Sequence, residues 1–243
     1  MAFQSTVSLQ QGFGVPGEMF TDSPWQAQTY TIVSTTSALN IIGKTCCTIT
    51  SQGVCAAGAN AITRNGTTTS TSTTVSGLSA TSDLVVGSLV QGSGIPDGAT
   101  IASITNSTTI VISAAASASA TVSLIFTPPN LGFAGFLVNP KVEALYGTSG
   151  APLAPTLTVP NQNIVECLTM GQIIVTLPAS CSIGDNVIFD NTSGAISTIA
   201  QGVALPNGKT FANAIVSFFT PNASGSQLAV VTVNPTFVIP QVA

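Results

Sequence analysis

From Tyr30 onward the chain repeats one pattern, short runs of Val, Ile, Thr and Phe separated by clusters of Gly, Pro, Asn and Ser. Apolar residues recur at the period of a strand rather than that of a helix. Strands are expected at Tyr30 to Val33, Val85 to Val90, Thr100 to Ile104, Thr109 to Ser113, Thr121 to Phe126, Gln172 to Leu177, Asn186 to Asp190, Asn213 to Phe219 and Gln227 to Val233. In the last of these, Leu228, Val230 and Thr232 face one way while Ala229, Val231 and Val233 face the other. A strand apolar on both faces must be covered on both. The expected fold is therefore all-β, a jelly-roll or barrel-like β-sandwich.

Two stretches depart from this pattern. Residues 1–29 are broken by Gly12, Gly14, Pro16, Gly17 and Pro24, yet carry the large apolar side chains of Phe3, Phe13, Phe20 and Trp25. Such a segment reads either as an extended arm laid on another surface or as an irregular strand packed on its own domain. From Ala61 to Thr127, 27 of 67 residues are Ser or Thr, but apolar positions still recur at strand spacing, which a disordered stalk would lack. This is expected to be a small β domain inserted between the two parts, 30–60 and 128–243, of a discontinuous domain. Pro128-Pro129-Asn130 would form its exit turn. Asn65-Gly66 and Asn207-Gly208 are favourable hairpin-turn dipeptides.

Composition narrows the function. Only 5% of the residues are charged, there is no histidine, and the net charge is −4. An ordinary soluble domain carries about 25% charged residues, so this surface suits burial against partners. Without His the commonest general base and metal ligand is missing. With Arg64 the sole arginine, a row of phosphate contacts is excluded, and nucleic acid is not expected as a direct partner. No apolar run is long enough for a membrane-spanning helix. Met1 to Gln11 lacks the basic and apolar regions of a secretory signal, so folding in a reducing cytoplasm is expected. The five cysteines, Cys46, Cys47, Cys55, Cys167 and Cys181, form no CxxC pair and read as small buried apolar residues, with neither metal nor cofactor expected.

The motifs point the same way. Gly12 to Gly17 matches GxGxxG, but no apolar strand precedes it and Pro16 interrupts the helix start a dinucleotide needs. The sequons at Asn65, Asn106, Asn191 and Asn222 read as turns. Asp185, Asp190 and Glu166 leave a glycosidase-type carboxylate pair open, though one Trp and two Tyr supply few sugar platforms. Nothing marks out one serine for a Ser-Lys dyad. Asn139-Pro140-Lys141-Val142-Glu143 places two rare charges beside a proline turn, where they would solvate the turn or orient a subunit contact.

Several stretches resemble a known family. Met1 to Val7, Gly12 to Glu18, Gly132 to Lys141, Thr169-Met170-Gly171 and Ile183 to Val187, in this order and spacing, resemble the structural cement proteins that decorate tailed-bacteriophage heads. The resemblance covers roughly residues 1–58 and 132–233, whereas 61–127 departs from it and resembles small β modules, the immunoglobulin-like type among them. It implies a non-enzymatic virion protein, made in the host bacterial cytoplasm, that oligomerises on the outer capsid surface. There it would bind the major capsid protein and clamp neighbouring capsomers. Carried over, the contact residues would be Phe3, Phe13, Phe20 and Trp25 of the arm, with Asn139, Lys141, Glu143 and Tyr146. Two rivals remain: a head fibre or receptor- or glycan-binding protein that uses the insert, and a carbohydrate-active enzyme.

Overall fold

The computed structural model describes residues 14–20, 24–49, 53–129, 132–139, 158–178, 181–219 and 226–234. These residues are all-β. In chain order the strands are β1 (Gln26–Ile32), β2 (Thr45–Thr48), β3 (Val54–Ala57), β4 (Ile62–Thr68), β5 (Thr74–Ser76), β6 (Leu89–Gln91), β7 (Ile101–Asn106) and β8 (Thr109–Ile112). They continue with β9 (Ala120–Thr127), β10 (Phe133–Leu137), β11 (Ile164–Pro178), β12 (Asn186–Asp190), β13 (Ile196–Ile199), β14 (Lys209–Phe219) and β15 (Ser226–Val233). Among the described residues no helix is long and apolar enough to cross a membrane.

Two sheets form, one of nine strands and one of six. Within the larger sheet the pairings β1–β3, β3–β2, β2–β10, β10–β11 and β11–β1 close on themselves, giving a five-stranded ring. Its interior is packed with Ile32, Ile42, Cys46, Cys55, Ala134, Leu137, Val159, Val165 and Cys167. The three cysteines and Ala134 leave room in so narrow a ring for the larger Ile, Leu and Val side chains.

β11 serves both halves of this sheet. Its first part pairs with β1 and β10, and from Gly171 to Pro178 it pairs with β15. The remaining order is β15-β14-β12-β13. Gln26 faces Met170 while Ala27 faces Leu168, so Thr169 is an extra residue on β11. A bulge of one residue exchanges the two faces of a strand. Val165 and Cys167 accordingly point into the ring, whereas Ile173, Val175 and Leu177 join a second core. There they meet Cys47, Phe136, Val138 and Leu168 from the outer face of the ring and Val187, Phe189 and Val231 from the open sheet. Phe133 packs edge-on against Phe136, with ring centroids 5.8 Å apart, and lies 6.1 Å from Phe189. The result is a sandwich in which one layer is rolled into a small barrel.

The six-stranded sheet, in the order β6-β9-β4-β5-β8-β7, is built entirely from residues between Ile62 and Thr127. It has its own core, which includes Val75, Leu78, Val90, Ile101, Ile110, Ile112, Leu124 and Phe126. The turn at 191–193 meets its root: the Asn191 carbonyl accepts from the N–H groups of Ala59 and Ala61, and Gln91 Oε1 accepts from the Gly208 N–H.

Some expectations from the sequence need correction. Asn65-Gly66 is not a turn but the middle of β4. A Cβ at Gly66 would lie 2.8 Å from Leu124 Cδ1 and 2.9 Å from Val75 Cγ1, so this glycine admits the core rather than bending the chain. Of the run Val85 to Val90 only Leu89 and Val90 are in a strand, and Val85 and Val86 are exposed. β1 begins at Gln26, inside the stretch expected as arm. Asn207-Gly208 does lie in a turn, with Gly208 at φ +73°.

Candidate contact surface and a buried thiol cluster

Residues 17–20 lie along the second part of β11. The Gly17 N–H donates to the Ile174 carbonyl at 2.8 Å, the Ile174 N–H to the Glu18 carbonyl at 2.8 Å, and the Phe20 N–H to the Gln172 carbonyl at 3.1 Å. Met19 pairs with Ile173 and packs against the second core. Alternation then turns Phe20 outward, where it is 39% exposed. This part of the chain is therefore packed on its own domain, the second of the two readings open for the arm.

Trp25 stands close by. Its Cβ would lie 2.9 Å from a Cβ added at Gly171, so the missing side chain lets the segment before β1 lie close against β11. Trp25 is 51% exposed. Two large aromatic side chains are thus held at the surface by backbone that is fixed to a central strand.

Asn139, the third predicted contact among the described residues, donates its backbone N–H to the Gly17 carbonyl at 2.8 Å. Gly17 is itself at φ +83°, and a Cβ there would fall 2.1 Å from Ile42 Cγ2. Two distant segments of the sequence are therefore brought together, with Asn139 holding the arm in place. Its side-chain oxygen is buried with no partner among the described residues. Phe3, Phe13, Lys141, Glu143 and Tyr146 lie outside the described residues.

Two of the three carboxylates considered for glycoside chemistry hold turns or an ion pair. Asp185 Oδ2 accepts from the Ser182 N–H at 2.8 Å. Asp190 Oδ1 accepts from the N–H groups of Thr192 and Ser193 and from the Ser193 hydroxyl, while Oδ2 meets Lys209 Nζ at 3.3 Å. Burial would raise the Asp190 pKa, but the bonds from Ser193 and the Lys209 ammonium outweigh it and hold the carboxyl below its ordinary value. Glu166 is exposed on β11.

One convergence escaped the sequence. All five cysteines are buried and free, but Cys46, Cys55 and Cys167 point into the ring, and their sulfurs all lie within 4.8 Å of one another. Burial, and donation to the other two thiols, push Cys46 well up. Cys167 accepts from Cys46, yet its own donation to Cys55, together with burial, leaves it well above the usual thiol value. Cys55 accepts from both and is lowered. Cys47, outside the ring, is pushed up to about 12 by burial. Residues in strand runs signal burial in a sequence, but only closure of the ring makes three such positions meet.

Comparison with known proteins gives one family. The model of the structural cement protein family (E217 gp24/Pam3 gp6) matches residues 3–234. No curated protein matches the chain.

Proposed function

Since the chain belongs to the structural cement protein family of phages, we propose that it binds the outer surface of a phage head across the junctions between capsomers and holds them together. The observation that carries this reading is the pair of exposed aromatic side chains, Phe20 and Trp25, on backbone pinned to β11. Rigid aromatic anchors bury large apolar area with little conformational cost, and hot spots are enriched in them. Each bound copy stabilises the joined capsomers by its higher affinity for that state, and many copies sum without any bond being made or broken. The partners in this reading are the major capsid protein and further copies of the chain, and its role is non-enzymatic.

Heads assembled with and without the protein test it. Heads lacking it should release DNA at lower temperature and under osmotic shock, and equal survival would sink the proposal. Trp25→Ala and Phe20→Ala should each weaken binding to heads by about 30-fold, the effect of losing roughly 2 kcal/mol from a hot spot.

A second reading draws on the six-stranded sheet. Residues 102–106 of β7 are all exposed, so the insert presents a mixed surface of Ser103, Thr105 and Asn106 with Ala102 and Ile104 that suits a receptor or glycan. Removing the insert separates the two readings: retained head stability with lost adsorption would favour the head-fibre role.

A further inference from the structure

The ring interior offers a site that head binding does not use. We infer that Cys46, Cys55 and Cys167 form a trigonal all-sulfur site for one soft monovalent metal ion, Cu(I).

The geometry favours a shared ligand over a disulfide. In the ring, β11 is next-nearest neighbour to both β2 and β3. With strands about 4.8 Å apart, a regular pentagon places next-nearest strands about 7.8 Å from one another. Disulfides usually need Cα atoms within about 6.8 Å. Cys46 and Cys55 lie on adjacent strands, but Cys47 faces Ala56 and Thr48 faces Cys55, so the two are offset by two residues. Such diagonal neighbours are about 7–8 Å apart. Strand spacing of this kind puts the backbones beyond the usual disulfide range, while the sulfurs converge within 4.8 Å.

The surroundings select the ion. Ile32, Ile42, Ala134, Leu137, Val159 and Val165 line the same core and offer no ligand atom. Tyr30, packed against it, gives its hydroxyl to Gln28 Oε1. Structural zinc takes four ligands, one more than the three sulfurs supply, and Cu(I) is the other single ion that soft sulfur donors select. The sulfurs coordinate as thiolates, and the protons they give up go to solvent as the ion enters during folding.

The full chain, reduced and refolded anaerobically with Cu(I) against a chromophoric Cu(I) chelator, tests this. One copper per chain is expected, with three sulfur ligands by X-ray absorption and a thermal midpoint that rises with free Cu(I). Cys55→Ser and Cys167→Ala should lose at least tenfold in copper affinity, while Cys47→Ala and Cys181→Ala should keep it. Failure of the wild-type chain to retain copper would overturn the inference and leave the cysteines as packing residues. So would copper bound through nitrogen or oxygen, uptake unchanged in Cys55→Ser, or tighter retention of Zn(II) than of Cu(I). The wild-type spectrum decides even where a variant does not fold.

Discussion

The carboxylate of Asp190 gathers the N–H groups of Thr192 and Ser193, the Ser193 hydroxyl and the Lys209 ammonium. It thereby shapes the turn whose Asn191 carbonyl receives Ala59 and Ala61. Because its folded pKa is lowered, its charge contributes stability that is fully present above the unfolded value of about 3.9 and is lost as pH falls through the folded value. Asp190→Asn keeps an acceptor for the turn and removes only the charge. It should cost about 1 kcal/mol at neutral pH. Urea midpoints of the two proteins should converge below about pH 4, and a gap that stays constant with pH would show that the charge is not responsible. At this scale the sequence was partly legible. Phe20 and Trp25 stood out as large apolar side chains in a Gly/Pro-rich stretch, where the sequence left open whether they lie on another surface or on the chain's own domain. Asp190 was visible only as a scarce carboxylate, since its partners come from a turn and from β14. The three ring thiols were visible only as buried residues, since their meeting depends on strands far apart in the chain.

Among elements, β10 shows how one residue sets the architecture. Phe133 faces Cys47 and Gly135 faces Cys46, so an extra residue bulges the strand, and Ala134 and Leu137 both enter the ring while Phe136 leaves it for the second core. Gly135 is at φ +127°, and a Cβ there would lie 2.3 Å from the Leu168 carbonyl oxygen. Gly135→Ala must either push β11 away or undo the bulge, which would send Phe136 to the wrong face. A loss of about 3 kcal/mol or more is expected from denaturant unfolding, from strain and disturbed core packing together. Gly53→Ala is the control: φ is +79°, with nothing within 4 Å of the added carbon, and about 1 kcal/mol is expected. Equal costs would mean that the close approach to Leu168 does not matter. β15 was legible because its apolar run from Leu228 to Val231 is unbroken, whereas β14 was legible only from Asn213 although it begins at Lys209, its register being shifted between Val216 and Phe218. β2, β3 and β10 were not, because each is short and β10 breaks its period at the bulge. Asn65-Gly66 misled because a glycine that avoids a core and one that permits a turn look alike in sequence.

For the whole molecule, the question is whether the six-stranded sheet is a separate folding unit. Its two ends meet, since Ile62 on β4 pairs with Phe126 on β9. A segment whose ends lie one strand spacing apart can be removed and the chain rejoined by a short turn. The core of the six-stranded sheet shares no residue with the two cores of the nine-stranded sheet, and the docking bonds at Asn191 and Gly208 are few. Replacing residues 62–126 by a short Gly/Ser turn should therefore leave the nine-stranded sheet folded, with a thermal midpoint within a few degrees of the intact chain. The excised segment is near the size at which a single core is only marginally sufficient, so it should unfold cooperatively but at lower temperature than the rest. Phe126→Ala, which opens a cavity worth about 3–5 kcal/mol, should then lower only the transition of the insert in the intact protein, resolved by calorimetry as a separate peak. A single transition that moves as a whole would show instead that the two sheets fold as one unit. In that case the insert could not be treated as a module placed on a capsid-binding base, and deletion could not separate the two functional readings.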